Sequence, residues 1–245
     1  MGGARPSDPT DDKAHTEMMT YLLFMLPMLV LSLWASARVK GTFRKYNQVP
    51  LRSGVSGAEA AAMILRGAGI HDVSIAAVPG MLSDHYDPTR KVVALSNEIL
   101  NGRTAAAVAV AAHEVGHAIQ HAQAYAPMSV RASLVPLANI GSQLGIPMLI
   151  FGALLHMPGL AWAGVIAFTF AVLFHVVTLP VEFDASRRAI QILERSGIVA
   201  GDEMPGVRKT LFAAGFTYVA ATLVAIVELV YWLIQSGLLG SRSEE

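Results

Sequence analysis

Four long apolar stretches restrict this chain more than any other feature of its sequence. They are Met18 to Ala37, Leu134 to Leu155, Gly159 to Leu179 and Phe216 to Leu239. Each is long enough to cross the roughly 30 Å of hydrocarbon in a bilayer as a helix. Composition agrees, since 53% of the residues are hydrophobic and 15% are charged, against about 25% charged in soluble domains. The sequence therefore predicts a multi-pass membrane protein with four transmembrane helices.

Basic residues near the apolar stretches set the predicted orientation, because Lys and Arg accumulate on the cytoplasmic side. They follow the first stretch, precede the second or lie between the third and fourth: Arg38, Lys40, Arg44, Lys45, Arg52, Arg131, Arg187, Arg188, Arg195, Arg208 and Lys209. The connection between the second and third stretches has none. Residues 38–133 and 180–215 are therefore expected in the cytoplasm of a cell whose inner membrane holds the protein, with both termini outside. The tails, 1–17 and 240–245, are expected to be disordered.

The segment "AAHEVGHAIQHAQAY" (Ala111 to Tyr125) places three histidines and one glutamate in an otherwise apolar region. Residues four apart lie on one face of a helix, so His113 and His117 can aim both imidazoles at a single metal ion. Glu114 is rotated by about 100° from His113 and can reach a water beside the metal. The H-E-x-x-H spacing therefore predicts two zinc ligands and a general base.

His121 continues the series but cannot join the same site. It lies about 12 Å along the helix axis from His113, whereas all zinc ligands lie about 2 Å from one ion. We expect it to support the site from outside the ligand set or to line a cleft, with a surface position as the alternative.

A third ligand has to come from another part of the chain, and "PVEFDASRRAIQIL" after Leu179 supplies the best candidate. Proline suits the first position of a helix, so a new helix is predicted to begin at Pro180. Glu182 and Ser186 would share one face of it, where Glu182 can bind the metal and Ser186 can support a ligand histidine. Asp184 would point about 200° away from Glu182 and pair with Arg187 or Arg188.

A small α+β unit is predicted between the first two spans. The motif "SGAE" (Ser56 to Glu59) has the form of a capping box, and Gly67 and Gly69 would end the helix that follows. The segments "VSIAAV" (73–78) and "KVVAL" (91–95) indicate two strands, joined by a polar turn segment that contains His85 and Tyr86. Ser96 or Thr104 would cap the next helices, and the second of these carries the H-E-x-x-H motif.

Three segments together resemble a known family. They are "LSDHYDP" (82–88), "AAHEVGHAIQHAQAY" (111–125) and "LPVEFDASRRA" (179–189), and in this order they are similar to the YugP-like family of bacterial membrane-bound neutral zinc metallopeptidases. The resemblance runs from about Tyr46 to the last apolar stretch. It implies a zinc peptidase on transmembrane helices, with His113 and His117 as ligands and Glu114 as the catalytic carboxylate. The wider gluzincin pattern has Asp four residues after the third-ligand Glu, where this chain has Ser186.

The expected fold is thus an α+β membrane protein whose four transmembrane helices carry a small zincin-like catalytic domain. One zinc ion, Zn2+, is expected per chain, held by His113, His117 and Glu182, with Glu114 as general base in peptide hydrolysis. Candidates for further donors to the oxyanion or for substrate contacts are His85, Tyr86, His121, Tyr125 and Arg131. The expected partners are a peptide or protein substrate, membrane proteins included, and the lipid bilayer.

The sequence also bears on several alternative functions. A formal net charge of zero gives no indication of nucleic-acid binding, and the absence of cysteine excludes a thiol nucleophile. An intramembrane protease of the site-2 type would place the H-E-x-x-H helix in the bilayer. A zinc-binding chaperone or scaffold would not need Glu114. A transporter is suggested by Glu228 inside the fourth apolar stretch, although a bond between helices is a simpler use for that residue.

Overall fold

The structure, a computed structural model, describes residues 9–236 as seven helices and three short strands. The helices are α1 (Pro9–Tyr46), α2 (Gly57–Gly67), α3 (Asn97–Asn101), α4 (Ala105–Ala122), α5 (Ala126–Leu154), α6 (Pro158–Ser196) and α7 (Met204–Gln235). The strands are β1 (Ser74–Val78), β2 (His85–Asp87) and β3 (Val92–Ser96). The described chain is therefore mostly helical, with one small sheet.

Four of the helices are long and apolar enough to cross a membrane, as the sequence predicts. The qualifying stretches are Met18–Tyr46, Ala126–Leu154, Pro158–Ser196 and Met204–Gln235. The helices extend past the predicted spans, and α1 already begins at Pro9, so residues 9–17 are helical where a disordered tail is expected. Proline is tolerated in the first turn of a helix, which agrees with this start. The rest of the predicted tails, 1–8 and 240–245, lies outside the described residues.

The prediction that a new helix begins at Pro180 is wrong. Pro180 lies inside α6, which continues from the third apolar stretch to Ser196 without interruption. A proline removes one backbone hydrogen-bond donor, and membrane helices accommodate that loss. The helix-forming residues on both sides of Pro180 therefore form one continuous helix. At 1.5 Å per residue the 39 residues of α6 extend for about 58 Å, nearly twice the thickness of the hydrocarbon. The continuous helix still places Glu182 and Ser186 on one face.

Glycines let α5 and α6 pack closely in the region of the apolar stretches. A Cβ on Gly141 would lie 2.2 Å from the backbone oxygen of Ala167, and one on Gly145 would lie 2.9 Å from Cβ of Phe168. Small residues of this kind allow close contact between membrane helices, where dispersion forces and weak polar contacts supply the attraction. Any larger side chain at Gly141 would push the two helices apart.

The residues of the predicted α+β unit belong to a compact unit formed by Trp34–Pro136 and Leu173–Val219. In its sheet β3 lies between β1 and β2, with β1 parallel and β2 antiparallel to it. The predicted strands at 73–78 and 91–95 are present with shifts of about one residue, within the usual uncertainty of strand ends. The predicted turn around His85 is partly a strand, because Tyr86 pairs with Val93 and buries its ring.

The core of this unit surrounds α4. Val108 and Val115 of α4 are fully buried together with Leu95 and Ile99. The predicted capping box is present, since Ser56 Oγ accepts from the N–H of Glu59 and the Glu59 carboxylate accepts from the N–H of Ser56. Thr104 caps α4 by accepting from the N–H of Ala107 at 3.2 Å. The H-E-x-x-H segment therefore belongs to a capped helix that is packed in the core of this unit.

Candidate metal centre

The packing of α4 against α6 depends on a glycine within the H-E-x-x-H motif. A Cβ on Gly116 would lie 2.7 Å from the backbone oxygen of Ala185, closer than carbon and oxygen can approach without strain. Ala185 is itself fully buried, so the two backbones are in direct contact at this point. The contact brings α6, and with it Glu182 one turn earlier, against the histidine face of α4.

His113, His117 and Glu182 form a compact cluster of potential ligands. Nε2 of His113 lies 3.2 Å from Oε2 of Glu182, and Nε2 of His117 lies 3.5 Å from the same oxygen. One ligand atom from each residue lies within 4.8 Å of those of the other two. Tetrahedral ligands about 2.05 Å from one zinc ion would be about 3.3 Å apart. Two imidazole nitrogens and one carboxylate oxygen at these separations therefore fit zinc in both chemistry and spacing.

Each histidine is held through the nitrogen that faces away from Glu182. Nδ1 of His113 lies 3.1 Å from Oγ of Ser186, as expected for a serine on the same face as Glu182. Nδ1 of His117 lies 3.0 Å from Oε1 of Gln120. Such contacts fix the ring orientation and leave Nε2 available to a metal.

Gln120 is fully buried and its amide orientation is determined by its neighbours. Its Nε2 donates to the backbone oxygen of Val181 at 2.8 Å and to Oδ2 of Asp184 at 3.0 Å. Because the amide nitrogen is used in this way, Oε1 faces His117 and accepts a hydrogen bond from its Nδ1–H. The sequence does not single out Gln120, although a polar residue three positions after His117 on an apolar helix is a usable signal.

Asp184 has a larger role than the predicted arginine pair. The pairs with Arg187 and Arg188 are both present, as expected. Asp184 is nevertheless buried, with 6% of its surface exposed, and it also accepts the hydrogen bond from Gln120. The two arginines thus balance a carboxylate that orients Gln120, which in turn orients His117.

The local electrostatics of this cluster favour a positive charge. Burial by itself would lower the pKa of His117, but the hydrogen bond to Glu182 and the charges of Glu114 and Glu182 outweigh burial and raise the pKa. A buried carboxylate facing two imidazoles attracts a cation, and a divalent metal satisfies the same field as a proton. The ligand atoms and the local electrostatics therefore both favour binding of a divalent cation.

A cleft with a volume of 290 Å³ opens beside the cluster. Its lining residues are Asp84, His85, Tyr86, Pro88, Glu114, His117, Met128, Arg131, Ala132, Val135, Glu182 and Tyr218. Glu114 is largely buried, with 8% of its surface exposed. A carboxylate, two potential metal ligands and several hydrogen-bond donors thus share one small cavity.

The structure separates the remaining candidate site residues into two groups. His85, Tyr86 and Arg131 line the cleft, and Nη1 of Arg131 lies 3.5 Å from Oε1 of Glu182. His121 and Tyr125 do not belong to the lining. His121 is exposed and its Nδ1 lies 2.8 Å from the hydroxyl of Tyr86, whereas the ring of Tyr125 lies under the guanidinium of Arg188. His121 therefore reaches the cleft only through Tyr86.

Tyr218 is a cleft residue that no sequence motif singles out. It lies near the start of the fourth apolar stretch, where an aromatic residue is typical of a membrane interface. Only the approach of α7 to the cleft shows that it lines the same cavity as Glu114 and Glu182.

Comparisons with known proteins show which family the chain belongs to. The family model described as "Putative neutral zinc metallopeptidase" matches residues 21–237. The "Putative membrane protease YugP" of Bacillus subtilis (strain 168) is 44% identical over 216 residues, which cover 88% of this chain and 96% of that protein. No solved structure matches the chain at a significant level.

The matched residues include all three segments on which the resemblance rests, and they reach from α1 to the end of α7. The chain belongs to the YugP-like family of neutral zinc metallopeptidases. The family implies zinc as the metal, and the cluster of His113, His117 and Glu182 offers a place for it.

Proposed function

We propose that this protein is a membrane-embedded zinc endopeptidase that hydrolyses peptide bonds with Glu114 as general base. The observation that carries the proposal is the convergence of two imidazole Nε2 atoms on one carboxylate oxygen, in a cleft that also holds Glu114. Family membership supports the same reaction class.

His113, His117 and Glu182 would hold one zinc ion per chain. When bound, zinc would polarise the scissile carbonyl and make the attacking water acidic enough for a carboxylate to take its proton. Ser186 and the pair of Gln120 and Asp184 keep the two histidine rings turned toward Glu182. This chain thus contributes both the ligands and the side chains that orient them.

Glu114 would carry the proton through the reaction. Its carboxylate accepts a proton from the attacking water as the water oxygen bonds to the scissile carbon. It then donates that proton to the amide nitrogen as the carbon–nitrogen bond breaks, so the amine leaves in neutral form. Burial in the cleft shields this transfer from bulk solvent.

Donors around the cleft would stabilise the developing oxyanion. Arg131, Tyr218 and His85 all line the cavity, so each is placed to donate to a substrate oxygen. β2 pairs with β3 along one edge, and no described strand pairs with its other edge. An extended peptide could add to that edge by main-chain hydrogen bonds.

The catalytic region is proposed to be zincin-like and to comprise residues 38–133 and 180–215 at the cytoplasmic membrane face. Substrates would be soluble or membrane proteins with an accessible extended segment. In the described part of the chain, α4 is not among the helices long and apolar enough to cross a membrane. This supports cleavage at the membrane surface over the intramembrane alternative.

The proposal is tested with the purified full-length protein in detergent micelles. We expect about one zinc ion per chain, hydrolysis of an unfolded soluble protein such as casein, loss of that hydrolysis on chelation and its return with added zinc. Zinc-loaded protein that cleaves only transmembrane segments would favour the intramembrane alternative. Zinc binding without any cleavage would favour a scaffold.

A further inference from the structure

A second cavity lies between α6 and α7, apart from the cleft. This groove has a volume of 660 Å³. It is lined by Phe183, Ser186, Arg187, Ile190, Gln191, Glu194, Arg208, Lys209, Leu211 and Phe212. Most of these residues have no part in the proposed reaction, so the groove needs its own explanation.

One end of the groove is aromatic and lies at the level where both helices leave the predicted membrane spans. Phe183 follows the third apolar stretch by four residues and Phe212 precedes the fourth by four, which is about 6 Å in each case. The two side chains are 48% and 65% exposed. The ring of Phe183 lies against Gly215 of α7, which confirms that these parts of the two helices are side by side. Large exposed rings at this depth are suited to lipid tails.

The other end of the groove is basic and lies farther from the apolar stretches. Arg187 and Arg208 are well exposed and engage Asp184 and Glu194. Lys209 is exposed and has no ion pair among the described residues. Three cationic side chains and one carboxylate line the groove, so an anionic ligand is favoured there.

We propose that this groove binds one anionic phospholipid, with its acyl chains toward Phe183 and Phe212 and its phosphate toward Arg208 and Lys209. The aromatic end of the groove lies nearer the predicted spans and the basic end lies farther away. A phospholipid has the same arrangement, because its acyl chains lie in the hydrocarbon and its phosphate lies at the membrane surface. A free anion would gain nothing from the exposed phenylalanines. The neighbouring bilayer supplies such lipids at high local concentration.

The test measures retention of phosphatidylglycerol and phosphatidylcholine by the full-length protein in mixed micelles, using native mass spectrometry. We expect one tightly held phosphatidylglycerol and no equivalent phosphatidylcholine. Lys209→Ala should weaken that binding by about fivefold, the effect of one basic residue near an anionic surface. Glu194→Gln should tighten it, because the change removes the acid of the groove and frees Arg208.

Lys40→Ala is the matched control, because Lys40 is also exposed and lies three residues beyond a predicted span but does not line the groove. It should leave the retention of phosphatidylglycerol unchanged. Equal retention of both lipids, equal loss in the Lys40 and Lys209 variants, or displacement by inorganic phosphate alone would overturn the proposal. The readout does not use peptidase activity, so its outcome is independent of the proposed reaction.

Discussion

Gln120 accepts a hydrogen bond from Nδ1 of His117 at 3.0 Å while its own amide nitrogen is fixed by Val181 and Asp184. We predict that Gln120→Met, which keeps the length of the side chain and removes the acceptor, lowers zinc affinity by about 10- to 100-fold. Competition with a chromophoric zinc chelator measures this effect. Gln123→Met is the control, since Gln123 is exposed and, in the described hydrogen bonds, its side chain bonds only to Arg188. Equal affinities in both variants would show that Gln120 does not orient His117.

Gly116 is predicted to be intolerant of even one added methyl group. Gly116→Ala would place a Cβ against the backbone oxygen of Ala185, and overpacking of this kind costs about 1–3 kcal/mol. We expect a lower thermal midpoint in detergent and weaker zinc binding, because α6 carries Glu182. Gly67→Ala is the control, since a Cβ there meets nothing within 4 Å. A Gly116 variant with the stability and zinc affinity of the control would contradict the close packing.

Substitutions at Glu182 and at Asp184 are predicted to differ in their effect on zinc content, although the two residues are only two positions apart. Glu182→Ala removes one of three ligands and should yield protein that is largely metal-free and inactive. Asp184→Asn keeps an acceptor for Gln120 and should retain most of its zinc. Metal content is measured by atomic emission on the purified variants. Retention of zinc in the Glu182 variant with loss in the Asp184 variant would mean that the ligand is wrongly assigned.

The parts of the fold that depend on local pattern were predictable from the sequence. The apolar stretches, the capping box at Ser56 and the cap at Thr104 follow from residue type and spacing over a few positions. The histidine pair on α4 is of the same kind, because a helix alone brings His113 and His117 together. Glu182 was predictable as a candidate because the chain has to supply a third ligand.

Contacts between distant segments were not predictable in the same way. Gln120 orients His117 only because Val181 and Asp184 of α6 hold its amide. Tyr218 belongs to the cleft only because α7 passes it. β2 has three residues, too few for an alternating pattern, and it is stabilised by pairing with β3. Pro180 indicated a helix start on local grounds, whereas the continuous helical pattern on both sides determines the structure.

Membrane orientation is tested by cysteine accessibility, and the chain contains no cysteine of its own. Cysteines in place of Ser53 and Gly201, both exposed, should resist an impermeant maleimide in intact cells, because the distribution of basic residues predicts a cytoplasmic location for both. A cysteine in place of Met157, which is also exposed, should react. All three should react after the cells are permeabilised. The opposite pattern in intact cells would place the cleft outside the cell.

The central claim is that Glu114 moves the proton in zinc-dependent peptide hydrolysis, and Glu114→Gln tests it most directly. The amide keeps the size of the side chain and removes the base, so the purified variant should retain the zinc content and thermal midpoint of the unmodified protein. Its hydrolysis of casein should fall by about 10²- to 10⁴-fold, the usual contribution of a general base. Near-normal casein hydrolysis by zinc-loaded Glu114→Gln protein would contradict the account.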